Sequence, residues 1–416
     1  MKVITYLLAH VLSLCYLFEG KLIPDSSLGL NELAYHDEPS QIYLGSPSII
    51  RLSSGRLVAS HDLFGNGYTY KPRNVTVYTS DDNGETWILT SYIKHSYWTT
   101  LSVYKDMIYA IGIDLDSNLS VIIHRSSDNG QSWIYNGTDD GVILFPGPFA
   151  TGATPIVIAN QVMYRAIEAW PAPAPSQWPV DFQAAIISCD LSKSNGMTVD
   201  DLIMSPSNWR LTPPLPFNQD WTPKSFPYMR NLGYLEGNVV VQQSSASSKE
   251  LRVFNIFRFN AVALPHLAII LELNQTTNTL SFVSIIEFPG GMSTFSIRYD
   301  PVTQTHDYGQ RNILSLSYSK DLVNWTIGID RLLYDDTGLE FNDSLRYTGF
   351  HYVDWQFDQV SSNESSCIEW NCNGGSDIIY LIRTSYRGAN TYHNSNRITY
   401  KILKDFRNLY LRNKIK

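Results

Sequence analysis

A tight turn written twice, six recurring pairs of short apolar runs, and no helical period before the C-terminal tail predict an all-β fold. The architecture they point to is a six-bladed β-propeller, with seven blades as the alternative. The turns are Ser80–Trp87, SDDNGETW, and Ser126–Trp133, SSDNGQSW, about 46 residues apart. A period of that size marks a unit that buries its face only against a neighbouring copy.

The paired runs follow in chain order. They are SPSIIRLSSGRLVASHD (Ser46–Asp62), TTLSVYKDMIYAIGID (Thr99–Asp114) and ATPIVIANQVMYRAIE (Ala153–Glu168). GNVVVQQSSASSKELRVFNIFR (Gly237–Arg258), MSTFSIRYDPVTQTHDYGQR (Met292–Arg311) and Tyr352–Arg383 complete the set, the last with an insertion that holds two cysteines. Each reads as a hairpin followed by one or two further strands, such as VTVYTS and TWILTS after the first. Closing six such sheets into a ring removes the free edges of an open sheet. In the repeated turn, which joins third and fourth strands, Asp and Ser cap the backbone, Gly supplies positive φ and Trp packs between blades. Its residues are accounted for structurally rather than catalytically. Ser319–Trp325, SKDLVNW, is a weaker third copy.

The 416 residues carry a net charge of −8 with pI near 5.6, which offers no field for a phosphate backbone and sets nucleic acid aside. A hydrophobic content of 44% and an aromatic content of 13% exclude a disordered chain. Met1-Lys2 and the apolar run Val3–Phe18 read as a signal peptide over residues 1–20 rather than a membrane span. The expected mature protein is secreted and off the membrane, with a propeller over residues 21–405 and a basic tail, 406–416, that forms a short helix or frays. Cys367 and Cys372, in CIEWNC, are close enough for a local disulfide, while Cys189 in AAIISCD reads as a buried, inert thiol. Sequons at Asn74, Asn118, Asn136, Asn274, Asn324, Asn342 and Asn363 fit a glycosylated surface.

The pattern S-x-D-x-G-x-[TS]-W resembles the Asp-box, or BNR, repeat of sialidase-like six-bladed propellers. GSPSIIRLSSGRLVASHD, YLEGNVVV, FSIRYDP and YVDWQFD are similar to segments of secreted sialidase-like proteins of microbes, and the resemblance covers roughly residues 40 to 405. It implies a propeller that acts on glycans. Where sialidases carry Arg-Ile-Pro, whose Arg begins the triad for the substrate carboxylate, this chain has Gly45-Ser46-Pro47. Where they place an Asp acid after the second strand, it has His61-Asp62.

In a propeller, the starts of the inner strands and the ends of their neighbours share one rim of the axial channel. The aligned hairpins bring strand starts Ser46, Trp98, Thr99, Thr154, Glu236, Asn238, Ser293 and Tyr352 to that rim. The strand ends His61, Asp62, Asp114, Glu168, Arg258, Arg311 and Arg383 join them, followed by Tyr386 and His393. Carboxylates and His serve proton transfer, Arg forks hold a carboxylate, and aromatic faces carry sugar rings. Glu236, His61, Asp62 and Glu168 are therefore the catalytic candidates, and Arg311, Arg383, Arg258, Trp98, Tyr386 and His393 the substrate-binding ones.

Each has a structural alternative: Asp62 as a turn cap, His61 as a satisfied strand-end histidine, the arginines as partners of acids between blades. Arg298 and Asp300 lie inside a hairpin and read as turn and inter-blade contacts. No zinc spacing, phosphate loop or Gly-x-Ser-x-Gly elbow occurs, so no metal and no cofactor is expected. WPAPAPSQWP (Trp170–Pro179) reads as a stiff loop over the rim. The expected function is a sialidase-like glycoside hydrolase acting on an acidic or terminal sugar of a glycan. Two alternatives stand beside it: a polysaccharide lyase using His61 and a Tyr, and a non-catalytic glycan-binding propeller. Oligomeric state is left open.

Overall fold

The structure, a computed structural model, describes residues 29, 31–171, 179–192, 196–226, 231–244, 250–261, 264, 266–291, 293–300, 305–308, 312–358 and 375–413. The leader, the Cys367 and Cys372 pair, Asn363, Arg311 and most of the proline-rich loop lie outside these residues.

The strands form six antiparallel sheets in chain order around an axis. The first holds Tyr43–Arg51, Leu57–Phe64, Asn74–Ser80 and Ile88–Lys94. The second holds Thr100–Tyr104, Met107–Asp114, Ser120–Ser126 and Val142–Phe145. Tyr234–Gln243, Leu251–Phe259, Leu267–Asn274 and Thr279–Glu287 make the fourth, and Arg298–Asp300, Thr305–Tyr308, Ile313–Ser319 and Trp325–Tyr334 the fifth. The sixth is Gly349–Asp358, Asp377–Ser385, Arg397–Leu403 and, on its outer edge, Asn31–Tyr35 from the other end of the chain.

The protein is thus an all-β propeller, but only five of its sheets are regular four-stranded blades. The third sheet corrects the expectation of six alike. Its inner position is split into Phe149–Ala150 and Val157–Ala159, beside the long strands Val162–Ala169 and Gln183–Asp190, and its outer edge into Trp209–Leu211 and Leu215–Pro216. Prolines account for both breaks. Pro155 interrupts the inner position and Pro213-Pro214 the outer, and none of them has an N–H to give to a ladder. The chain beyond Cys189, which would have to hold a seventh blade, forms these short strands and a helix, Val199–Met204, capped by Thr198 and Asp201.

There is no single central core. Each neighbouring pair of sheets encloses its own apolar cluster. Val58, Val77, Leu101 and Ile108 fill the first interface, Ile111, Ile123, Ile167 and Ile187 the second, and Ala166, Ile186, Val239 and Phe257 the third. Three further clusters close the circle from the fourth sheet back to the first. Strands buried on both faces read as continuous apolar runs, which is why AAIISCD and DIIYLIR show little alternation.

The repeated turn is built the same way both times. Ser80 Oγ donates to Asp82 at 2.7 Å and accepts from Gly84 N at 2.8 Å, while Asp82 accepts from Thr86 N at 2.9 Å. Ser126, Asp128, Gly130 and Ser132 repeat these contacts at 2.7, 3.0 and 2.9 Å. Gly84 and Gly130 take φ of 84° and 86°. Each Trp reaches the preceding sheet. Trp87 meets Tyr400 edge-on at 5.3 Å, and Trp133 donates to Ser91 Oγ at 3.0 Å. The helix Phe406–Asn413 docks on the ring through buried Phe406 and through Arg407, whose Nε donates to Asp300 at 2.7 Å. Among the described residues no helix is long and apolar enough to cross a membrane.

Candidate active site

Three inner strands slip in register as they reach the same rim, between Leu44 and Pro47, Leu235 and Asn238, and His351 and Asp354. At two of these bulges Glu236 and Tyr352 adopt left-handed φ of 57° and 53°, and Trp98 takes 48° at the equivalent position of the second sheet. Left-handed backbone is uncommon for such residues, and a bulge re-aims the side chain it carries. Two residues further on, side chains stitch the ring. Ser48 Oγ accepts from Leu101 N at 3.0 Å, Asn238 from Ile297 N at 3.0 Å, and Asp354 from Ile49 N at 2.9 Å. The stitches fix the inner strands against one another, so the bulge residues converge on the axis.

Glu236 is the centre of the resulting cluster. Its Oε2 accepts from Arg258 Nη1 at 2.8 Å and from Thr294 Oγ1, and its Oε1 accepts from Tyr352 Oη at 2.6 Å. Burial opposes ionisation, but Arg258 and the two hydroxyls outweigh it and hold the carboxyl below its ordinary range. Residue 152 is a glycine packed against it: a Cβ there would lie 3.2 Å from Glu236 Cγ, a tight contact. Glu168, at the end of its strand in the third sheet, accepts from Gly237 N at 3.0 Å. Burial pushes its pKa up to about 8, and the neighbouring Glu236 charge adds to the rise. Two buried carboxyls on strands of adjacent sheets are thereby driven apart, one ionised and one protonated near neutrality.

Asp62 lies across the mouth. Its oxygens accept from Ser46 N at 2.5 Å and Trp98 N at 2.8 Å, tying the first sheet to the second, and burial raises its pKa to about 6. A Cβ on Gly45 would sit 1.7 Å from Asp62 Oδ1, so Asp62 fills the place a side chain at residue 45 would take. Arg383 is sandwiched between the rings of Phe64 at 4.5 Å and Tyr352 at 4.8 Å, and donates to Ser395 Oγ at 3.0 Å and His393 O at 2.5 Å.

Glu236, Glu168, Arg258, Arg383 and Asp62 thus come together with Trp98, which is partly buried beside Tyr97 at 5.0 Å. Other candidates sit elsewhere. His61 is sealed behind the mouth, with Nδ1 3.0 Å from Asp62 O and its ring stacked on Tyr78; burial lowers its pKa to about 4. Strand alternation turns it away from the axis when Asp62 faces it. Tyr386 is buried against Phe350, with its hydroxyl on Asp336. His393 is exposed on the outer lip beside Phe64. Asp114 caps its own turn, accepting from Asp116 N at 2.9 Å and Ser117 N at 3.1 Å. Arg298 pairs with Asp354 at 2.9 Å between the fifth and sixth sheets.

Two participants escaped the sequence reading. Tyr352 stood among the strand starts but was not assigned chemistry, and Thr294 was passed over beside Ser293.

No protein-family model and no curated protein sequence matches the chain. Solved structures do match its fold. A protein of unknown function from Dyadobacter fermentans has a TM-score of 0.55 at 15% identity, covering 91% of this chain and 99% of that one. An alpha-L-arabinanase of Penicillium chrysogenum, solved with arabinobiose, has 0.53 at 12% identity, covering 90% and 97%. The Hadza microbial sialidase Hz136 has 0.52 at 14% identity, covering 90% and 68%. At these identities the likeness is one of fold.

Proposed function

We propose that the protein is a retaining glycoside hydrolase that removes a terminal sugar from a glycan, with Tyr352 as nucleophile, Glu236 as its base and Glu168 as general acid. The observation that carries this reading is the 2.6 Å hydrogen bond from Tyr352 to an ionised Glu236 whose other oxygen is already taken by Arg258 and Thr294. A carboxylate with both oxygens engaged is a poor nucleophile but a well-placed proton acceptor. Tyrosine nucleophiles are a known exception to the two-carboxylate scheme of glycosidases.

In the first step Tyr352 Oη bonds to the anomeric carbon as its proton passes to Glu236. The glycosidic C–O bond breaks, and the leaving oxygen takes the proton of Glu168. In the second, water attacks the same carbon and returns a proton to Glu168 while Tyr352 departs with the proton from Glu236. Two displacements leave the anomeric configuration unchanged.

Two observations support a neutral terminal sugar rather than a carboxylated one. The corner at Gly45-Ser46, where the sialidase pattern has an Arg, is filled by the Asp62 carboxylate. Among the described residues, Arg258 is paired with Glu236 and Arg383 is engaged by Ser395 and the His393 carbonyl. The arabinobiose held by the similar arabinanase is a neutral sugar of this kind. The Met1–Gly20 leader pattern supports an exported enzyme. The lyase alternative loses its base with His61 buried. Incubation with 2-deoxy-2-fluoro glycosyl fluorides of terminal sugars, followed by peptide mass mapping, tests the scheme. An adduct on Tyr352 is expected; inversion of the product anomer, or an unsaturated product, overturns it.

A further inference from the structure

Arg165 is 1% exposed and has no carboxylate in hydrogen-bond contact among the described residues. Its guanidinium ends on three carbonyls instead. Nη1 donates to Ile111 O, and Nη2 donates to Trp98 O at 2.8 Å and Gly152 O at 3.2 Å. A buried guanidinium held only by neutral acceptors is costly, because carbonyl dipoles replace water incompletely. Burial accordingly lowers its pKa to about 9. A fold that needed only to join the second and third sheets has cheaper means, as the Thr100 Oγ1 bond to Thr154 O at 2.8 Å shows.

The acceptors say what the charge is for. Trp98 is the left-handed residue whose N–H holds Asp62, and Gly152 lies directly against the Glu236 side chain. Arg165 also lies on the strand of Glu168, three residues before it, and is the cation that acts on that carboxyl. We propose that Arg165 is a positioning residue of the mouth: it fixes the Trp98 and Gly152 backbone that borders Asp62 and Glu236. The same charge lowers the proton affinity of Glu168. The inference rests on the acid role given to Glu168 above, although the effect on its proton does not need turnover to be seen.

Glu236 raises the proton affinity of Glu168, Arg165 lowers it, and the backbone N–H groups of Glu236 and Gly237 lower it too; Tyr234 lies near from the fourth sheet, and Arg258 stands behind Glu236. Removing Arg165 should therefore move the Glu168 titration upward.

The test compares wild type, Arg165→Met and Arg165→Lys by side-chain ¹³C NMR of labelled glutamates and by the pH profile of kcat/KM. In Arg165→Met the Glu168 resonance should titrate at higher pH, and the alkaline limb should follow it. Arg165→Lys keeps the charge but cannot reach three carbonyls, so its limb should stay in place while kcat falls about tenfold or more. A folded Arg165→Met with an unmoved Glu168 titration overturns the proposal, as does Arg165→Lys with wild-type kcat; the Lys variant decides if the Met variant does not fold. If the wild type hydrolyses nothing, the hydrolase reading fails, yet the NMR comparison still decides whether Arg165 governs Glu168.

Discussion

Replacing Tyr352 by Phe removes one oxygen and leaves the ring on Arg383, the bulge and its φ of 53° in place. What is lost from the folded state is a 2.6 Å hydrogen bond to a charged group, about 2 kcal/mol. Glu236 keeps Arg258 and Thr294, so it stays ionised near neutrality and no buried charge is stranded. What is lost from the reaction is the nucleophile. A fall of about 10⁴ in kcat corresponds to roughly 5 kcal/mol of barrier. The second figure exceeds the first by enough that partial unfolding cannot be mistaken for it. The assay is kcat on an aryl glycoside with a good leaving group, alongside urea unfolding of the same preparation. If the Phe variant folds and keeps more than about a tenth of wild-type kcat, Tyr352 is not the nucleophile and Glu236 has been given the wrong task.

Glu168 in the folded state holds its proton to about pH 8, whereas the unfolded chain releases it near the ordinary glutamate value of 4.5, so stability should fall as pH rises between them. Glu168→Gln should flatten that slope in denaturant titrations, and should slow hydrolysis of substrates with poor leaving groups about 10² to 10⁴-fold. Gly45→Ala puts a Cβ 1.7 Å from Asp62 Oδ1, which must drive Asp62 off the Ser46 and Trp98 amides; a loss of roughly 3 kcal/mol is expected by urea unfolding, and wild-type stability would show the contact is not obligatory. Asp128→Ala deletes the acceptor of the second repeated turn at a cost of about 2 kcal/mol by the same measurement, with kcat/KM unchanged because the turn lies off the mouth. Cys189 is buried and its thiol is pushed up to about 12, so it should resist thiol reagents until denaturant is added, as a timed labelling experiment would show.

The propeller was legible because its signals are local. Asp82, Gly84 and Thr86 close their turn with contacts inside one octapeptide, and the same letters at Asp128, Gly130 and Ser132 give the same contacts. The third sheet differs from the sequence expectation because ATPIVIANQVMYRAIE reads as an unbroken hairpin, whereas Pro155 leaves a gap in the inner ladder and Pro213-Pro214 one in the outer. At the mouth, alignment of strand starts and ends could say which residues reach the rim, and it brought Glu168, Glu236, Arg258 and Arg383 forward. It could not say which neighbour each would choose. The pairing of Tyr352 with Glu236 joins residues from the fourth and sixth sheets, and the position of Asp62 depends on an absent side chain at Gly45. Arg165 gave no signal, since a charge inside an apolar strand resembles an outward-facing position until three carbonyls from other segments surround it.

The strand Asn31–Tyr35 completes the sheet begun at Gly349. During synthesis it therefore emerges with nothing to pair with, and waits until Arg397–Leu403 has been made. The entropy of joining such distant segments grows only with the logarithm of the intervening length, so the union is late rather than improbable. Until then the first and sixth sheets share no sealed interface, and the mouth that both help to form has no fixed shape. A nascent chain should acquire the geometry of its mouth in one final event, and a protease that clips ahead of Tyr43 should act on the whole ring at once.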